Sequence, residues 1–233
     1  MLRIIKSISF ALLLVGVIGA CAAPAISAPV STQPADTAIP HILDDQITIP
    51  VGEGGDETIK ATITGNGDIA VMVHKHRYDT DTKSYWTPLV DSLSANEKLR
   101  IITYTLRGYE TGVRDTRIVF DYLKAEGVTK IICISAGIGQ VCTNLQDEPE
   151  IIGMVKFPGD ILTPIEADFP KLFVASEADS DSLRQTYENS AEPKTFKSYA
   201  VSADGPAIFS VPDVGLQVVA DITDFINGIV NSQ

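Results

Sequence analysis

The sequence predicts an α/β domain built on a mixed, mostly parallel central sheet with helices on both faces. Three observations carry that expectation. The body opens with "QITIPV" and "TIKATIT", two alternating segments joined by the turn-rich "GEGGDE", which read as an antiparallel hairpin. Beyond it, strand-length apolar runs alternate with stretches of helical period, the pattern of parallel strands joined by crossover helices. The runs themselves, "DIAVMVH" being the first, are near-continuously apolar, as strands buried on both faces must be.

The elements follow in order. After "DIAVMVH", the spacing of Trp86, Leu89, Val90 and Leu93 suits one helical face. "KLRIITYTL" is the next buried strand. "RDTRIVFDYLKAEG" sets Ile118, Val119, Tyr122 and Leu123 at helical intervals and closes on Gly127, a C-terminal stop. "KIICI" is a strand and "IGQVCTNL" a short helix. "EIIGMVKF", "KLFVAS" and "KTFKSYAV" supply three further strands. "SDSLRQTYENSA" is a helix between the last two, with Ser180 or Asp181 as its cap. "VGLQVVADITDFINGIV" is the terminal helix, apolar at Leu216, Val219, Ile222 and Ile226. No internal repeat is present, and no segment is long enough for a lid domain. "GEGGDE" is followed by a strand and not a helix, so it is no phosphate cradle.

The N-terminus has the form of an export signal. Arg3 and Lys6 precede an apolar run from Ile8 to Ile18, too short for a comfortable membrane span. "IGAC", Ile18 to Cys21, resembles the lipobox of bacterial lipoproteins. The resemblance implies cleavage before Cys21 and acylation there, so that a lipid bilayer is a partner and the protein sits on the extracytoplasmic face of a bacterial membrane. The expected organisation is a signal peptide over 1–20, a Pro/Ala/Ser/Thr tether over 21–44 and one domain over 45–233. Hydrophobic content of 45% suits a folded body. A formal net charge of −12 argues against nucleic acid as a partner, since phosphates demand basic patches. With Cys21 acylated, Cys133 and Cys142 remain. Each falls in an apolar element, so both are expected as buried free thiols, although an extracytoplasmic address permits a disulfide.

Several stretches together resemble the alpha/beta-hydrolases of the dienelactone-hydrolase and small-esterase kind. "DIAVMVHKHRYDTDTKSYWTPLVDSL" is similar to that family's strand, loop and first helix, and "LRIITYTLRGYETG" to its next strand end. "FDYLKAEGVTKIICISAGIG" is similar to the nucleophile elbow with its flanks, "FPKLFVASEAD" to the acid strand, and "PKTFKSYAVSADG" to the last strand and histidine loop. The likeness runs from about Gln46 to Val230. It implies an alpha/beta-hydrolase fold: a mostly parallel sheet with an antiparallel N-terminal hairpin, helices on both faces and no lid. The residues that would carry the chemistry are those that differ. Counting forward from "GVTK", Gly137 occupies the nucleophile position, with Ser135 and Gly139 in the two flanking small-residue positions. In a second register Ser135 is itself the nucleophile; this shortens the strand by two residues and puts Cys133 where a glycine belongs. The first register fits better.

The family's catalytic order is nucleophile, acid, histidine. The chain has three histidines, His41, His74 and His76, and all precede the elbow. The position resembling the histidine is Asp204, and the acid position is Asp179, with Asp181 close behind. An acid with no imidazole to orient is weak support for catalysis. Oxyanion donors would be the backbone amides of Lys75 and Ile138. The expected function is therefore a membrane-anchored binding or interaction module for an unknown small molecule or protein, without serine-hydrolase activity. The alternative is an esterase-type hydrolase using Ser135. No cofactor is expected. His74, His76, Asp79 and Asp81 can be drawn as a zinc site, but a strand end feeding a polar loop is the simpler reading, so no metal ligand is assigned. Trp86 reads as core, while Tyr78 and Tyr85 stay open. Arg107 and Arg114 either bind an anion or are ordinary loop charges, and the second reading is preferred.

Overall fold

The computed structural model describes residues 45–52, 54, 56–75, 84–137, 141–159, 163–203 and 205–233. The expected signal peptide, Cys21, the tether and His41 lie outside these. So do His76, Tyr78, Asp79, Asp81, Ile138, Gly139 and Asp204.

Eight strands are present among the described residues: β1 (Asp45–Val51), β2 (Glu57–Thr64), β3 (Ile69–Lys75), β4 (Leu99–Thr105), β5 (Lys130–Gly137), β6 (Ile151–Gly159), β7 (Lys171–Ser176) and β8 (Lys194–Tyr199). The α-helices are α1 (Thr87–Ser94), α2 (Gly112–Ala125), α3 (Ser180–Asn189) and α4 (Val214–Asn231). The strands form one sheet in the order β1-β2-β4-β3-β5-β6-β7-β8. β1 pairs antiparallel with β2, and β2 antiparallel with β4. Every other pairing is parallel.

Burial explains the pairing. The central strands bury both faces, as the run Ala70–Val73 and all of Ile131–Ala136 show. β2 alternates instead, burying Ile59 and Ala61 while exposing Lys60. Two cores result. Phe120 and Leu123 of α2 and Leu183 of α3 pack with Met72, Cys133 and Met154 on one face. Leu89 and Leu93 of α1 and Ile222 and Ile226 of α4 pack with Val71, Ile134 and Phe157 on the other. Trp86 is core, set edge-on to Phe157 at 5.6 Å between ring centroids.

Helix α2 stops where its sequence says it should. Gly127 adopts φ +83°, its amide bonds Lys124 O, and the Val128 amide bonds Leu123 O. This 6→1 and 5→2 pair lets glycine close the helix in a left-handed conformation without a Cβ clash.

Three expectations need correction. The segment after β5 is not an α-helix where it is described: residues 141–145 form a turn and a single 3-10 turn, Thr143–Leu145. Helix α3 is capped at Asp179 with no side-chain cap bond; Ser180 is already helical and donates its hydroxyl to Glu177 O. Leu216 is 74% exposed, because the buried stripe of α4 runs through Val218, Val219, Ile222, Ile226 and Ile229. Among the described residues no helix is long and apolar enough to cross a membrane.

Candidate functional site

Strand order locates the site. From β3 the chain passes through α1 to β4. From β4 it returns through α2, on the opposite face, to β5 on the other side of β3. The connections leaving β3 and β5 therefore diverge, and open α/β sheets bind ligands outside the carboxyl ends of such strands. The β3–β5 ladder runs up to Val73 paired with Ile134. His74, Lys75 and Gly137 stand just beyond it.

Gly137 ends β5 with φ +77°. A positive φ of this size favours glycine, which adopts it without strain. It offers no side chain to react. Ser135 is 1% exposed and lies on the sheet face that carries Cys133, while Ile134 and Ala136 belong to the opposite core. Its Oγ is buried and makes no hydrogen bond among the described residues.

Cys133 and Cys142 are joined in a disulfide, which corrects the expectation of free thiols. An α-helix after β5 would carry Cys142 away from the sheet. The observed turn folds back instead, leaving the two Cα atoms 5.9 Å apart, within bridging range. Val141 and Leu145 on either side of Cys142 join the same core.

The remaining candidates gather only in part. Asp179 lies just past β7, half-buried, with the Ser176 hydroxyl donating weakly to its Oδ2 over 3.5 Å. Asp181 is exposed in the first turn of α3. Lys75 is the last residue of β3, in register with Thr105 of β4, and so belongs to the ladder rather than to a loop beyond it. Its proposed oxyanion companion Ile138 and the histidine-position Asp204 fall outside the described residues.

His74 is buried at 1% exposure, and its Nε2–H donates to Ala136 O over 2.6 Å. The imidazole bridges the ends of β3 and β5, which commits one ring nitrogen to structure rather than to a metal. Among the described residues no group of three metal-binding side chains forms. Arg107 is likewise committed. Its guanidinium and backbone amide donate to the fully buried Asp115, and it pairs with Glu57 as well. Arg107 is therefore not an anion site; Thr111 Oγ1 completes the shell around Asp115.

One buried group was missed in the sequence. Lys156, in the middle of β6, is 1% exposed, and burial pushes its pKa down to about 8. Its Nζ lies 3.4 Å from Thr143 Oγ1. The signal was there: "EIIGMVKF" places a lysine inside a run read as a buried strand.

No family model matches the chain, and no curated protein matches it. Solved structures do. A dienelactone hydrolase from Anabaena variabilis ATCC 29413 is 14% identical, with a TM-score of 0.59 over 80% of this chain and 97% of its own. An esterase from Rhodococcus sp. ECU1013 is 14% identical, with a TM-score of 0.61 over 80% and 99%. Mouse alpha/beta hydrolase domain-containing protein 10 is 9% identical, with a TM-score of 0.60 over 79% and 99%. Identities this low speak for architecture and not for activity. With its strand order, its antiparallel N-terminal pair and helices on both faces, the described domain has the alpha/beta-hydrolase fold, and no lid is present among the described residues.

Proposed function

We propose that this protein is a lipid-anchored, extracytoplasmic binding or interaction module that keeps the alpha/beta-hydrolase scaffold without its serine-hydrolase chemistry. The observation that carries the reading is Gly137. It takes the left-handed conformation demanded at the strand-to-turn junction and brings no nucleophile to it. The other parts agree. No histidine follows His76 in the sequence. A serine hydroxyl without a neighbouring base is a poor nucleophile. The described residues after β5 make one 3-10 turn, where an α-helix would aim its positive end at a developing oxyanion. The rival, an esterase using Ser135, would need that hydroxyl to leave a closed core. The anchor rests on the "IGAC" pattern at Cys21.

The test is twofold. Purified protein is expected neither to hydrolyse p-nitrophenyl esters nor to react with a fluorophosphonate probe; labelling abolished by Ser135→Ala would instead establish the esterase. Expressed in bacteria, the wild type is expected to partition into detergent carrying an acylated N-terminal Cys21. A Cys21→Ser protein that partitions identically would remove the anchor from the reading.

A further inference from the structure

The antiparallel end of the sheet carries a polar cleft away from the elbow. Six polar side chains line it: Gln46 and Thr48 of β1, Lys60 and Thr62 of β2, and Thr103 and Thr105 of β4. It encloses about 310 Å³, at the lower end of small-molecule sites. Alternation puts all six on one face. Ile47, Ile49, Ile59, Ala61 and Tyr104 pack into the core that holds α2, so their neighbours along each strand point the other way. Register sets these in rows: Gln46 stands opposite Thr62 and Thr62 opposite Thr103, while Thr48 stands opposite Lys60. Adjacent strands lie about 4.8 Å apart, so polar groups from three strands reach one small molecule. The core on this side, built on α1 and α4, takes Leu99 and Ile101 from β4 but no described residue of β1 or β2. The face is therefore left open where the strands turn polar.

Two observations point to a ligand. Thr103 is 5% exposed and lines the cleft, and no hydrogen bond joins its hydroxyl to another described residue. Buried hydroxyls are normally bonded, and a molecule in the cleft would supply the partner. Charge is the second. The chain has 30 acidic and 18 basic residues, yet β1, β2 and β4 hold only two acids, Asp45 and Glu57. Alternation puts both on the α2 face, where Glu57 pairs with Arg107. Lys60 is the one charge that these strands present to the cleft.

We propose that this cleft binds a small sugar acid, whose carboxylate Lys60 holds while the threonine hydroxyls and Gln46 take its hydroxyls. Hydroxyls and a carboxamide both donate and accept, as the hydroxyls of a sugar do. A carboxylate answers the lone ammonium through charge-assisted hydrogen bonds. A net charge of −12 weighs more heavily against a doubly charged phosphate, for which the cleft lining offers no second cation. β3 separates these strands from β5 and its elbow, so the site goes beyond the binding-module reading and does not depend on it.

Saturation-transfer NMR on the purified protein tests this, with D-glucuronate as the probe. Glucuronate is expected to bind saturably at millimolar concentration. D-glucose lacks the carboxylate and acetate lacks the hydroxyls, so each should bind at least about fivefold more weakly, the loss of one good polar contact. Lys60→Met and Thr103→Val should each weaken glucuronate by a similar factor. The first changes an exposed side chain and the second keeps the shape of a buried one, and melting curves check that both fold. Lys98→Met, at an exposed lysine outside the cleft, should bind as the wild type does. No saturable glucuronate binding overturns the proposal. So does affinity unchanged in either folded cleft variant or lowered equally by Lys98→Met. Glucose, acetate or inorganic phosphate binding as tightly as glucuronate overturns it too. Ester hydrolysis would defeat the binding-module reading and leave this titration unchanged, so the two fail separately.

Discussion

Replacing Lys156 with methionine should make the protein more stable at neutral pH and should remove part of its pH dependence. Lys156 is almost wholly buried in β6, and burial lowers its pKa from 10.5 to about 8. That displacement corresponds to about 3 kcal/mol by which folding disfavours the ammonium. The sign follows from proton counting. Below about pH 8 the lysine is protonated in both folded and unfolded chains, and the penalty is full. Between 8 and 10.5 the unfolded chain holds a proton that the folded one has released, so stability rises with pH. Above 10.5 both are neutral and the gain levels off. Methionine has similar length and no charge, and well-packed apolar replacements of buried charges are often stabilising. The loss of the polar contacts of Lys156, that with Thr143 among them, makes about 3 kcal/mol an upper figure. For a domain of this size the melting temperature should rise by about 5–10 °C at pH 7. Calorimetry of both proteins from pH 7 to 10.5 reads the difference directly. A Lys156→Met protein that melts at or below the wild type at pH 7 refutes the reasoning. So does a difference between the two that stays constant across that range.

Three other outcomes are expected. Gly137→Ser places a hydroxyl at the elbow but forces a side chain into φ +77°, so urea denaturation should show a loss of about 1–2 kcal/mol, with no gain in p-nitrophenyl ester hydrolysis. Cys133→Ala/Cys142→Ala opens a loop with a sequence separation of 9, for which chain entropy gives a loss of roughly 2–3 kcal/mol, measurable by the same urea titration. Arg107→Leu strips the guanidinium from the fully buried Asp115 and should cost about 3–5 kcal/mol; Arg107→Leu/Asp115→Leu should recover part of it.

The scaffold was legible because local signals and global fold agree. Alternation in "QITIPV" and "TIKATIT" marked the hairpin, unbroken apolar runs marked the central strands, and Gly127 marked the end of α2. The segment after β5 was not legible. "IGQVCTNL" carries enough apolar residues to pass for a short helix, and nothing local says that Cys142 returns to Cys133. Leu216 misled for a similar reason: helical spacing alone leaves open which of several overlapping apolar stripes meets the sheet. At the candidate site, the small residues around Gly137 were readable in "ISAGIG", whereas the bond from His74 to Ala136 O was not.

What the sequence determined by itself is composition along the chain: which runs can be buried strands, which turns favour glycine, and that no histidine follows His76. Those depend on nearest neighbours and on the mere presence of a residue type. What the tertiary structure alone decided is which distant side chains share a face. Ser135 comes into register with Lys156, Cys133 meets Cys142, and Arg107 closes on Asp115 because strand register and crossover place them together. Contacts between residues far apart in the chain exist only once the sheet has chosen its order, and no periodicity along one segment encodes that choice.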